Sequence, residues 1–106
     1  MTPSDHAIHA CFTRQLRNRF PAAEVRAFGS RARGTARADS DLDLCVILDH
    51  PVDLATRRAV EEIAWEVGFE HDMLLTVLCF GREEIVHGPL SASSLIRTIL
   101  KEGVAA

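Results

Sequence analysis

Tyrosine is absent from this sequence of 106 residues, and tryptophan occurs only once. A chain without tyrosine cannot be modified on a tyrosine of its own. No apolar stretch reaches the roughly 18 residues that a membrane-spanning helix requires, and the first residues lack the basic and then apolar pattern of a secretion signal. We therefore expect a cytoplasmic protein that does not act at a membrane.

Cysteine is scarce, and its spacing excludes the usual cysteine chemistry. Cys11, Cys45 and Cys79 each lie in an apolar run, and no CxxC pair or Cys/His cluster is present. An odd number of widely spaced cysteines in apolar surroundings indicates buried, reduced thiols. Disulfide bonds and a zinc site are not expected.

Positive charge is also limited. The net charge is −3, and the arginines are dispersed along the chain, whereas proteins that coat nucleic acids gather them into a patch. Direct binding of polymeric DNA or RNA is therefore not expected. A chain of this length predicts a single domain over residues 1–106, with no second lobe for an acceptor substrate. The acceptor must be held by this domain, by a second copy, or by a partner that carries it.

Hydrophobic periodicity predicts alternating helices and strands. The expected helices cover residues 5–19, with Ser4 as N-cap, 54–67, ended by Gly68, and 91–102, and a further short helix begins near Gly81. The expected strands cover residues 23–28, 41–48 and 71–80. This alternation indicates an α/β fold, a small mixed sheet of three to four strands with helices packed mainly on one face.

The stretch from Phe28 to Leu48 carries the strongest chemical signal. Asp41 and Asp43 stand at the start of a predicted strand. Side chains two residues apart on a strand point to the same side, about 6.6 Å apart along it. Two carboxylates this close repel each other unless a cation lies between them, and hard oxygen ligands at this spacing suit Mg²⁺. We therefore expect a magnesium site here.

A glycine-rich turn precedes these aspartates. Gly29-Ser30 and Gly34 bracket a short basic segment that contains Arg31 and Arg33. Glycine lets backbone amides approach a ligand closely, and a serine hydroxyl beside free N–H groups binds anions. A phosphate loop next to an acidic, metal-holding strand is the arrangement of phosphoryl or nucleotidyl transfer.

The two elements together resemble a known signature. Gly29-Ser30, ten intervening residues and then Asp41-Leu42-Asp43 are similar to the motif of the DNA polymerase beta-like nucleotidyltransferase superfamily. The fuller string GSRARGTARADSDLDL resembles its smallest branch, the minimal nucleotidyltransferases. That branch is known mainly as the antitoxin halves of HEPN–MNT toxin–antitoxin pairs.

The resemblance implies a Mg²⁺-dependent transfer of AMP from ATP to a hydroxyl of a HEPN-type toxin, in a hetero-oligomer. The acceptor in such pairs is a tyrosine, which this chain must find on its partner. The implied roles are triphosphate binding by Gly29 and Ser30, charge neutralisation on the leaving pyrophosphate by Arg31 or Arg33, and metal binding by Asp41, Asp43 and a third carboxylate. We assign Asp72 to the third position, with Glu70 as its rival.

Two other functions remain open on the sequence. One is a non-catalytic antitoxin that neutralises its partner by contact, and the other is a small-molecule nucleotidyltransferase of the aminoglycoside-modifying type. The intact Asp41-Leu42-Asp43 triplet favours catalysis, and the lack of extra chain to hold a drug disfavours the small-molecule enzyme. For a protein partner, we expect the docking surface to lie near the final helix, within residues 90–104.

Overall fold

A computed structural model describes residues 1–106. The helices are α1 (Pro3–Arg19), α2 (Gly29–Arg33), α3 (Leu54–His71), α4 (Arg82–Val86) and α5 (Ser94–Glu102), and a 3-10 turn covers Pro89–Ala92. The strands are β1 (Glu24–Phe28), β2 (Leu42–Leu48), β3 (Leu75–Gly81) and β4 (Val104–Ala105). They form one sheet in the order β3-β2-β1-β4. The β2–β3 pair is parallel and the other two pairs are antiparallel, so the predicted mixed α/β sheet is confirmed.

Strand β2 is the centre of the core because both of its faces become apolar after the first residues. One face contributes Leu42, Leu44, Val46 and Leu48 to a cluster of 15 buried residues that includes side chains of α1 and α3. The other face places Cys45 and Ile47 in a cluster of 5 buried residues with α4 and α5. Strand β2 is therefore covered on both sides except at its polar beginning.

Helix α1 begins earlier than the sequence suggested. Thr2, and not the predicted Ser4, is the N-cap: its hydroxyl accepts a hydrogen bond from the Asp5 N–H at 3.0 Å, and the Asp5 carboxylate accepts one from the Thr2 N–H at 3.1 Å. This reciprocal capping box satisfies two backbone donors at once, and Pro3 suits the first helical turn. The prediction of Ser4 was wrong because these two signals together outweigh a single serine.

The boundary between α3 and β3 also differs from the prediction. Helix α3 continues through Gly68 to His71, and β3 starts only at Leu75. A Cβ on Gly68 would collide with the carbonyl oxygen of Met73, so glycine is needed there for a close approach of the returning chain and not as a helix end. The chain turns instead at Asp72, which has a left-handed backbone with φ of 51°, a conformation that Asp tolerates better than most residues.

None of the five helices is both long and apolar enough to cross a membrane.

Candidate active site

Asp41 and Asp43 lie where β2 enters the sheet, and both side chains are half-buried. Asp43 is paired in register with Phe28 of β1 on one side and with Thr76 of β3 on the other. Asp41 directly precedes the strand, and its Oδ2 accepts a hydrogen bond from the Thr76 hydroxyl at 3.2 Å. The two carboxylates therefore sit on a backbone that is held from both sides.

The charges at this end of the sheet are poorly compensated. Burial raises the pKa of Asp43 above its usual value, the negative charge of Asp41 raises it further, and the Arg33 guanidinium partly opposes both effects. Two carboxylates that destabilise each other's ionised form are the arrangement expected of a site that accepts a cation.

Gly29 brings the phosphate loop against this pair. Its backbone has a φ of 76°, and a Cβ added there would collide with the Oδ2 of Asp43. Gly34 at the other end of α2 has the same φ, yet a Cβ there would meet nothing within 4 Å. Both glycines are thus needed for their backbone conformation, but only Gly29 is also needed for contact with an aspartate.

Ser30 follows as the second residue of α2 and is half-buried beside this contact. Its carbonyl oxygen accepts a hydrogen bond from the Thr35 N–H at 3.0 Å, which closes the turn that follows α2. The short helix therefore presents Gly29 and Ser30 together at the edge where Asp43 lies.

Arg31 has a structural role that differs from the predicted one. Its side chain is buried, and its Nη1 donates to the Asp5 carboxylate at 2.9 Å. Its Nε and Nη2 donate to the carbonyl oxygens of Ser40 and Ala38 at 2.8 and 3.0 Å. These bonds hold the loop that leads to Asp41, so the prediction that Arg31 neutralises pyrophosphate is corrected. Arg33, which is exposed, is the arginine left for that role.

Asp72 does not join the acidic pair either. It is exposed at the C-terminus of α3, and no group of three or more His, Cys, Asp or Glu side chains is placed to hold a metal ion. The prediction of Asp72 as a third metal ligand fails because the residue ends a helix and does not begin a strand. Its rival Glu70 is likewise exposed on α3. On β3, the residue beside Asp41 and Asp43 is Thr76.

Sequence reasoning missed two residues of this region, Asp5 and Thr76. Asp5 pairs with Arg31 across 26 positions, and no local pattern could reveal that contact. Thr76 could have been found from the register of a parallel β2–β3 pair, had the start of β3 been placed at Leu75.

Comparison with known proteins connects this geometry with a family. Residues 12–105 match the model of a family described as nucleotidyltransferase domain. A probable protein adenylyltransferase MntA of Haemophilus influenzae is 43% identical over 47 residues, which are 44% of this chain and 41% of that protein. The matched segment thus spans less than half the length of this relative.

Solved structures share the fold at low sequence identity. A toxin–antitoxin crystallised with AMP-PNP has a TM-score of 0.62 and 20% identity, covering 92% of this chain and 70% of the other. A mutant of the toxin–antitoxin MntA-HpeT gives a TM-score of 0.57 at 21% identity, covering 89% of this chain and 67% of the other. A second mutant, with two aspartates changed to glutamates, gives 0.59 at 20% identity, with 95% and 70% covered. At this identity the likeness concerns the fold alone.

Proposed function

Because the chain belongs to the nucleotidyltransferase domain family, we propose that it is a protein adenylyltransferase antitoxin. It transfers AMP from ATP to the hydroxyl of a tyrosine in a HEPN-type toxin. The observation that carries this proposal is the contact between the Gly29 backbone and the Asp43 carboxylate. It places a phosphate-binding turn directly against an acidic pair, as transfer of a nucleotide requires.

The acidic pair fits a divalent cation. Asp41 and Asp43 offer hard oxygen ligands at the start of β2, and burial together with the negative charge of Asp41 raises the pKa of Asp43. These two residues would hold Mg²⁺, with the remaining positions open to water and phosphate oxygens. When bound, Mg²⁺ would offset the triphosphate charge and make the attacking hydroxyl more acidic.

The loop residues supply the donor site. Gly29 lets the triphosphate approach the backbone, the Ser30 hydroxyl can donate to a phosphate oxygen, and Arg33 brings a positive charge next to Asp43. Arginine suits phosphate because its planar guanidinium donates two parallel hydrogen bonds. In the reaction, the acceptor oxygen forms a bond to the α-phosphorus while the bond to pyrophosphate breaks. The hydroxyl proton leaves to solvent.

The acceptor is assigned to a partner protein for two reasons. The sequence contains no tyrosine, so a tyrosine acceptor comes from another chain. The MntA relative is named a probable protein adenylyltransferase, and the solved neighbours are toxin–antitoxin proteins. Both support a protein substrate over a free small molecule.

A second function is favoured by one observation, the lack of a third carboxylate at the acidic pair. A site with two carboxylates holds a metal ion less firmly than one with three. An antitoxin that silences its partner by contact would need no such site. The two functions give opposite results in one experiment.

That experiment mixes the chain with a candidate HEPN-type toxin, with and without ATP and Mg²⁺, and then separates the two proteins. Adenylylation leaves the partner heavier by a nucleoside monophosphate and still silenced, at substoichiometric amounts of this chain. The Asp41→Asn variant should do neither. If Asp41→Asn silences equally well, only at stoichiometric amounts and with activity returning after separation, the contact-inhibitor function replaces the enzymatic one.

A further inference from the structure

Three exposed large apolar side chains lie together at the end of α3 and the start of β3. Trp65, Phe69 and Leu74 are 69%, 82% and 58% exposed. Together with Met73, Leu75 and Val77 they line a groove of about 520 Å³. We call this the α3–β3 groove. Large aromatic side chains this exposed are unusual on a surface that nothing covers.

The groove lies at the same end of the sheet as the acidic pair. Helix α3 connects two parallel strands, so its last turns reach the edge at which both strands begin. The Leu74 carbonyl accepts a hydrogen bond from the Leu42 N–H at 3.0 Å, and Thr76 donates to Asp41. The groove lies on the sheet face that carries Leu42 and Leu44, and the acidic pair lies on the opposite face, with Cys45. Because β3 is the edge strand, a protein that is seated in the groove and extends past this edge would meet the exposed Thr76, whose hydroxyl donates to Asp41.

The rim of the groove is acidic, and this charge favours one kind of occupant. Glu61 and Asp72 line the groove, and Glu62, Glu66 and Glu70 are exposed along the same helix. A second copy docked on this face would bring two acidic rims together, which is repulsive. A partner with arginines or lysines around an apolar ridge would match both features.

We infer that the α3–β3 groove is the docking surface for the acceptor protein, which contributes an apolar ridge flanked by basic residues. The inference rests on the proposed function and names how the partner of that site is held. It differs from the expectation that the partner docks on residues 90–104, which stays a prediction. The exposed Leu95 and Leu100 of α5, at 49% and 36%, form the smaller apolar surface. Strand β3 has no neighbouring strand on its outer side, so the partner finds an open sheet edge there.

The test compares two double variants that each remove two exposed apolar side chains. Trp65→Ala/Phe69→Ala alters the groove, and Leu54→Ala/Leu95→Ala alters exposed residues outside it. Binding to the HEPN-type protein is measured by titration calorimetry at low and moderate salt, and ATP binding and thermal melting are measured on each variant alone. We expect the groove variant to bind the partner roughly tenfold more weakly or worse, because aromatic anchors dominate interfaces. Its ATP affinity should match the wild type, and the control should bind the partner normally.

Three outcomes would overturn the inference. The groove variant could bind as tightly as the wild type, the control could lose affinity instead, or sedimentation could show that the groove variant abolishes a dimer of this chain without weakening the partner. The proposed function is judged separately, by Asp41→Asn. If AMP transfer is absent but partner binding depends on Trp65 and Phe69, the docking surface stands and the enzymatic function falls. If AMP transfer occurs and is equally fast with the groove variant, the enzymatic function stands and the docking surface falls.

Discussion

Two aspartates on either side of the phosphate loop have opposite environments. Asp5 is buried, caps α1 and forms an ion pair with Arg31 at 2.9 Å. Asp43 is half-buried, faces another carboxylate and has a pKa that burial and the Asp41 charge raise and that the Arg33 charge partly lowers. The carboxylate that holds the phosphate loop in place, Asp5, is therefore neutralised by an ion pair. The carboxylate that lies against the loop at the site, Asp43, has no such partner. Stability and chemistry are thereby assigned to different residues of one small region.

The largest effect is expected where the charge is satisfied. Arg31→Ala leaves the buried Asp5 carboxylate without its charged partner, with only the Thr2 N–H still bonded to it. Breaking a buried ion pair costs about 3–5 kcal/mol. The free energy of unfolding in urea should fall by this order. Arg33→Ala, two residues along the same loop, should change it by less than about 0.5 kcal/mol. An equal loss of unfolding free energy in the two variants would contradict the assignment of the structural role to Arg31 alone.

A smaller effect, on activity alone, is expected at Asp43, whose carboxylate has no ion-pair partner. Asp43→Asn removes a ligand of the proposed metal site, so AMP transfer should fall on the order of 10²-fold or more, about 2.7 kcal/mol. The free energy of unfolding should stay the same or rise, because repulsion by Asp41 disappears. Asp39→Asn, a charge change in the exposed loop, is the matched control for transfer. A strongly destabilised Asp43→Asn would show that the residue is structural.

Gly29 and Gly34 both have a φ of 76°, but only Gly29 lies against Asp43. Gly34→Ala meets open space and should cost only the backbone strain, about 1–2 kcal/mol. Gly29→Ala carries the same strain and also collides with Asp43, so it should lose more stability and, in addition, affinity for ATP. Thermal melting and equilibrium nucleotide binding measure the two effects. Identical behaviour of the variants would mean that the Gly29–Asp43 contact does not shape the donor site.

The smallest effect is the pH dependence of stability. The pKa of Asp43 in the folded protein lies above its ordinary value of 3.8, so the folded state binds the proton more tightly than the unfolded state does. Stability therefore falls as the pH rises from about 3.8 through the raised pKa, and then stays constant. Without divalent cations, the difference in the free energy of unfolding between the wild type and Asp43→Asn should show this fall as the pH rises. Added Mg²⁺ should stabilise the wild type above that range and leave the variant unchanged.

The sequence predicted the parts of the site that depend on local pattern. Gly29-Ser30 and the alternating Asp41-Leu42-Asp43 could be placed because a strand has a fixed period and a glycine turn has a narrow set of uses. The same holds for the central, apolar β2. The family was recognised from these residues alone, and the match over residues 12–105 confirms it.

The parts of the site that could not be predicted from the sequence depend on contacts between distant segments. Arg31 was assigned to phosphate because its partner Asp5 lies 26 residues away. Asp72 was assigned to a strand because the approach of Met73 to Gly68, which lets α3 run on to His71, cannot be read from periodicity.

The separation between fold and charge also has an evolutionary consequence. Asp43 stands on a central strand whose backbone is hydrogen-bonded to β1 and β3, and Asp41 directly precedes that strand. The only side-chain hydrogen bond of the pair is the one that Asp41 accepts from the exposed Thr76 hydroxyl. A natural substitution that neutralises either carboxylate therefore encounters no purifying selection from folding. Under the proposed function, descendants of this chain can drift in one step from catalyst to inert binder, and only selection on the reaction itself keeps both aspartates in place.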